Sequence, residues 1–190
     1  MDAIIEATRQ LVEARGFDCV TTRMIAERAG VGVGSLYQYF PTYEAILFAW
    51  YERVSLKAAQ EIRLTTMDVM DLSTGNSVRI AIGRLLDIYV RERLVLVEMP
   101  MQVGQIEQVI RHTSLEALNR STIRLFMAQH PEFDFARADA HVFYIDAIMS
   151  EVIRRYVLST STTLSPDEIV DELTAIILGY LERNRVVKKT

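Results

Sequence analysis

From Asp2 to Arg15 the apolar positions recur at three- and four-residue spacings, with Ile4, Ala7, Thr8, Leu11 and Val12 on one stripe. That period marks an amphipathic helix, and Gly16 behind it supplies the usual C-terminal stop. The same pattern predicts a second short helix from a cap at Thr21 or Thr22 to Ala29, a tight turn opened by Gly30, and a third helix over about Val33 to Tyr39. Pro41 closes the third, because the residue before a proline is pushed out of the helical region. Thr42 then caps a fourth helix that continues past Trp50 to about Leu64. The polar cluster "TTMDVMDLSTGNS" reads as a linker. Beyond it the pattern predicts a helix over about Val78 to Arg91, an apolar piece "LVLVEM" closed by Pro100, a helix from about Gln102 to His130 ended by Pro131, and a nearly all-apolar helix from about Phe135 to Leu158. "STSTTLSPDE" is a second linker. Ser165 as cap, Pro166 as first helical residue and Glu168 three residues after the cap start a last helix that runs to about Arg183.

Glycine (8) and proline (4) are scarce and no segment alternates like a strand, so the fold class is all-α with about nine helices. The division expected is an N-terminal three-helix domain over residues 1–47, followed by a larger helical domain over 48–190. A hydrophobic share of 50% in 190 residues suffices for a packed core. No apolar run approaches the roughly 18 to 20 residues of a membrane span, and the N-terminus lacks a basic stretch leading into an apolar one, so neither membrane nor secretion is signalled. Cys19 is the lone cysteine, expected to be buried by the helix pair, and has no partner for an intramolecular disulfide. The location expected is the cytoplasm.

Three histidines, His112, His130 and His141, stand in no HExxH or ExxH arrangement, so no metal site is expected. "GVGVG" has neither a preceding strand nor a following GK[ST], which removes a phosphate loop. No catalytic residues and no cofactor are expected; the chain is not read as an enzyme.

Two short helices around a glycine-containing turn are the layout of a helix-turn-helix, whose second helix enters the DNA major groove. Ile25, Ala26, Ala29, Val31 and Leu36 have the spacing to hold these helices on the first, which leaves the third helix's start and outer face for a groove. There Val33 suits a thymine methyl, Ser35 a base edge or phosphate, Gln38 an adenine, and Gly34 a close backbone approach. The hydroxyls of Tyr37 and Tyr39 suit phosphate oxygens. Thr22 and the free amides of the second helix form another phosphate site, with Arg23 beside them.

The string "LVEARGFDCVTTRMIAERAGVGVGSLYQYFPTYEAIL" carries a resemblance to the DNA-binding domain of the tetracycline-repressor (TetR) family of bacterial transcriptional regulators, over Ile4 to Leu47. The resemblance implies a ligand-responsive regulator, by family default a repressor, that binds a palindromic double-stranded operator as a homodimer and is released by a small, largely apolar effector. It also implies a fourth helix acting as the lever between reading head and pocket. Two departures stand out. Tyr43, counted with the expected DNA contacts, occupies the place before Glu44 where relatives usually carry a phosphate-contacting Lys, and the chain begins almost at its first helix, without the basic arm of many relatives.

Charge sharpens this. Net charge is −4, and residues 1–56 carry five Arg, no Lys and seven Asp or Glu. Affinity for DNA must come from a few placed contacts rather than a broad positive field. The acidic first quarter also motivates the alternative, a helical protein-interaction module that has lost DNA binding.

In the second domain "HVFYIDAIMSEVIRRYVL" and "IVDELTAIILGYL" are too apolar for the surface of a monomer. Ile153, Tyr156, Leu173, Ala175, Ile176, Gly179 and Tyr180 are the expected dimer contacts, since a helix-turn-helix engages two half-sites about 34–36 Å apart or multiples of that. For a pocket, Trp50, Tyr51, Tyr89, Met99 and Met101 offer adaptable apolar surface. Glu98 and Asp146 are acids in apolar surroundings that need a partner: an Arg such as Arg84 or Arg154, an interface hydrogen bond, or a cationic ligand.

Overall fold

In the computed structural model, which describes residues 1–104, 114–160 and 163–186, the early turn signals are all used. Helix α1 spans Asp2–Arg15 and ends at Gly16, whose N–H donates to the Val12 carbonyl at 2.8 Å. A 3₁₀ turn, Phe17–Cys19, packs Phe17 into the core and leaves Cys19 exposed, contrary to its expected burial. Helix α2 spans Thr22–Ala29, with Thr21 as cap: its hydroxyl accepts from the Met24 N–H at 3.3 Å. Gly30 ends α2 at φ 68°, ψ 30°, a left-handed conformation that a side chain disfavours. Helix α3 spans Val33–Tyr39 and unwinds into the extended Phe40 before Pro41. Ile25, Ala26 and Leu36 are wholly buried, so the small Ala26 sets how closely the helices approach.

The chain forms two compact units, Met1–Ser55 with Leu94–Thr113, and Leu56–Arg93 with Ser114–Thr190. The 26-residue α4, Tyr43–Asp68, starts in one and ends in the other, with Thr42 accepting from the Ala45 N–H at its start. It runs past the expected end near Leu64, and within it the buried Thr66 hydroxyl donates to the Ile62 carbonyl at 3.0 Å. Helix α5, Thr74–Arg91, begins before the expected Val78. Ser77 donates to the Val69 carbonyl at 2.8 Å, so part of the polar cluster that resembled a linker fastens a short turn.

Leu94–Glu98 form a π-helical turn leading into α6, Met99–Gln102. Pro100 therefore sits inside the first turn of a helix, where its missing N–H costs nothing, instead of closing the apolar piece before it. Of the helix expected from Gln102 to His130, residues 105–113 lie outside the described residues, and α7 spans Ser114–Gln129. Helix α8 spans Ala138–Leu158 and α9 spans Pro166–Glu182. The described residues thus carry nine α-helices, and the fold is all-α, an N-terminal helix-turn-helix followed by a larger helical part. Past α9 the backbone returns to the loop before α8: the Val186 N–H donates to the Glu132 carbonyl and Asp134 to that of Asn184.

The start of α9 forms both halves of the capping box. Ser165 Oγ accepts from the Glu168 N–H at 3.2 Å, and the Ser165 N–H donates to Glu168 Oε2 at 2.6 Å. Those bonds hold the Glu168 carboxyl below its usual range. Ser165→Ala is expected to cost about 1 kcal/mol. A thermal melt followed by circular dichroism checks this as a drop of roughly 2–4 °C in a chain of this size.

Candidate nucleic-acid interface and ligand cavity

Helix α3 buries a single side chain, Leu36, and presents Val33, Gly34, Ser35, Tyr37, Gln38 and Tyr39 to solvent. Tyr37 and Tyr39 are 48% and 60% exposed, far more than tyrosines held by a core. The Tyr37 hydroxyl lies 2.9 Å from Thr22 Oγ1, which brings two hydroxyls together at the start of α2. The amides of Thr22 and Arg23 stand there ahead of the first intrahelical bond, Ile25 N–H to Thr21 O. Gly34 has an ordinary helical backbone, and a Cβ added to it would meet nothing within 4 Å, so neither backbone strain nor crowding requires a glycine there.

Several of the first unit's other charges are paired. Arg9 bridges Glu6 and Glu13, and hydrogen bonds from Arg9 and Gln10 pull the Glu6 carboxyl down to about 2. Arg53 pairs with Asp2, and Arg28 donates to Gln10 at 2.9 Å. Arg23 is exposed and makes no ion pair among the described residues. Tyr43 behaves differently from the residues on α3. Its half-buried hydroxyl donates to the Phe17 carbonyl at 3.1 Å, and burial, with the charges of Asp18 and Glu44, pushes its pKa up to about 12. The phenol that stands where a phosphate-binding Lys was expected is thus turned toward its own backbone.

In the second unit, α4, α5, α7, α8 and α9 line a cavity of about 100 Å³. Its wall is mostly apolar, with Ile62, Val78, Ile82, Phe126 and Ile177 among the lining residues. Several of its polar groups are satisfied by protein. Thr66 and Ser77 donate to backbone carbonyls, Gln129 lies 3.5 Å from Met70 Sδ, and His130 Nδ1 lies 2.9 Å from Glu132 with its ring 4.2 Å from Phe126. Asn119 is the exception: its Oδ1 is buried and has no hydrogen-bond partner among the described residues.

Of the residues named for a pocket, Asp146 lies on this wall. Trp50, Tyr51 and Met99 are buried in the first unit, Glu98 and the exposed Met101 belong to that unit as well, and Tyr89 is buried in the second unit away from the cavity. Aromatic and Met positions at helical spacing pack a core and line a cavity equally well, so their spacing did not separate the two.

The outer side of α8 and α9 is apolar. Phe143 is 66% exposed, Tyr144 52% and Ile176 48%, and Ala147, Ala175 and Gly179 are exposed beside them. Tyr180 ties the two helices together, its hydroxyl 2.6 Å from His141 Nδ1 and its ring 6.3 Å from Tyr144. Tyr156 is half-buried, whereas Ile153 and Leu173 are almost fully enclosed within the protomer and have no surface left for a partner.

Residues 4–50 match the family model described as bacterial regulatory proteins of the tetR family. Over this N-terminal quarter the chain is similar to the TetR family. Over 58 residues it is 38% identical to the HTH-type transcriptional repressor KstR of Mycolicibacterium smegmatis, a stretch that spans 28% of each chain. Just over a quarter of that relative's length is therefore matched. The whole fold is similar to a TetR-family regulator from Mesorhizobium loti, at 13% identity with a TM-score of 0.74 over 97% of this chain and 96% of that one. It is also similar to the TetR-family repressor FadR of Thermus thermophilus, solved with lauroyl-CoA, at 18% identity and a TM-score of 0.64 over 100% and 96%.

The structure adds residues that the sequence reading passed over. Phe143, Tyr144 and Ala147 fall out of phase with the buried stripe His141, Val142 and Ile145, and that phase alone could have turned them outward. Asn119 shares the stripe of Thr122, Ile123 and Phe126, and a polar residue on an apolar stripe was the available signal.

Proposed function

We propose that this chain is a transcriptional regulator which binds a palindromic DNA operator as a homodimer through α2 and α3 and responds to a small, largely apolar effector in the second unit's cavity. The exposed face of α3 carries the reading. One leucine anchors the helix, and every other side chain on it is turned out, with methyl, hydroxyl and amide groups suited to base edges and phosphates. Tyr37 with Thr22 and the α2 amides supplies one phosphate site, and Arg23 supplies a cation beside it. Ser35, Gln38 and Val33 reach bases, while Gly34 admits the DNA backbone.

The homodimer reading is supported by the apolar side of α8 and α9, centred on Phe143, Tyr144 and Ile176, with Ala175, Gly179 and Tyr180 alongside. Such a contiguous apolar surface marks an interaction site. The effector reading is supported by the cavity wall. Helix α4 supplies Ile46 and Leu47 to the first unit's core and Ile62 and Thr66 to that wall. An effector acts by binding one arrangement of the reading heads more tightly than another.

Selection of duplexes from a random pool on the full-length protein is expected to enrich a palindrome. The salt dependence of its affinity should be shallow, with a slope of log K against log salt of roughly −3 to −6, as only a few phosphates are contacted per protomer. No enrichment would remove DNA binding, and a slope steeper than about −8 would show that charge rather than fit dominates.

A further inference from the structure

Asn119 Oδ1 is a strong acceptor enclosed in an apolar wall, with nothing to bond to among the described residues. Buried acceptors are nearly always paired, because leaving one unpaired sacrifices the bonds it makes with water in the unfolded chain. The other polar groups of the wall show how readily this helical framework satisfies its own: Thr66 and Ser77 turn back to carbonyls, and Gln129 and His130 reach neighbours. A leucine at position 119 would have removed the cost altogether. Among the described lining residues there is no Lys or Arg.

We infer that the effector is a compact apolar molecule whose polar end is a hydrogen-bond donor, a hydroxyl, amide N–H or ammonium, given to Asn119 Oδ1. The inference rests on the reading of this cavity as the effector site. Size follows from the volume: the cavity of about 100 Å³ is smaller than the 150 Å³ that holds benzene, so the effector is small and a ligand of phenol's bulk enters by pushing the wall outward. Among the described lining residues no Lys or Arg meets a carboxylate or phosphate, so burying such a group there is unfavourable.

Phenol, toluene and benzoate test this on the full chain by calorimetric titration, because phenol and toluene have nearly the same shape and differ in the donor. Wild-type protein is expected to bind phenol and toluene, and to bind benzoate at least about 100-fold more weakly than phenol. In Asn119→Leu the ratio of phenol to toluene affinity should fall about tenfold, and the ligand-free variant should melt higher, since an unpaired buried acceptor is gone. A ratio that Asn119→Leu leaves unchanged, or benzoate binding as tightly as phenol, overturns the donor requirement and leaves the cavity standing as a ligand site. Binding of none of the three overturns the cavity reading and this inference with it. The comparison of phenol with benzoate needs only wild-type protein, so it decides the point even where the variant folds poorly.

Discussion

Phe143→Asp combined with Ile176→Asp is expected to turn the protein monomeric and to weaken operator binding by at least about 100-fold, with protomer helicity unchanged. Both side chains are largely exposed in the protomer, so replacing them removes little of its own packing. In a dimer related by a twofold axis each change appears twice. Four large apolar groups, each worth about 1.5–3 kcal/mol when buried, would be lost and four carboxylates would have to be desolvated without partners. Operator affinity falls with the dimer, because two reading heads held at a fixed separation engage two half-sites as one event. Sedimentation equilibrium and a binding titration on the selected palindrome measure the two effects. A variant that sediments as a dimer would move the interface elsewhere. Ile153→Asp provides the contrast: Ile153 is fully enclosed, so its replacement should unfold the protomer rather than separate two folded ones.

That contrast shows how far the sequence could be read. The first forty residues were legible because their boundaries are set by local chemistry. Thr21 caps, Gly16 and Gly30 take positive φ, and Pro41 stops a helix, each needing only its neighbours in the chain. The capping box at Ser165 was legible for the same reason. Where tertiary partners decide, the sequence was silent. The polar groups of Thr66 and Ser77 suggest a linker until their hydroxyls are seen to find carbonyls. Tyr43 looks like a surface residue in place of a lysine until its hydroxyl meets Phe17. Ile153 and Ile176 are equally apolar on apolar helices, and only the packing of α5 and α8 with α9 decides which faces inward. The cavity is the extreme case, since it depends on where five helices fail to fill space, which no single helix records.

Leu36→Ala and Gly34→Ala, two residues apart on α3, are expected to weaken DNA binding by opposite routes. Leu36 is the one side chain that α3 buries, and truncating it should cost about 2–5 kcal/mol, a loss felt by the whole helix-turn-helix because nothing else on α3 anchors it. Melting should fall and operator binding vanish together. Gly34 has open space around its would-be Cβ and a helical backbone that any residue adopts, so alanine there should stabilise α3 by up to about 1 kcal/mol. If the DNA backbone lies against this position, that same methyl must displace it, and operator affinity should drop about tenfold or more while the melting temperature rises. Gain of stability with loss of function separates a residue kept for a partner from one kept for the fold. Unchanged affinity in Gly34→Ala would mean that the DNA backbone does not come close at this end of α3. Leu36→Ala protein that still binds the palindrome would mean that α3 is not the helix that reads it.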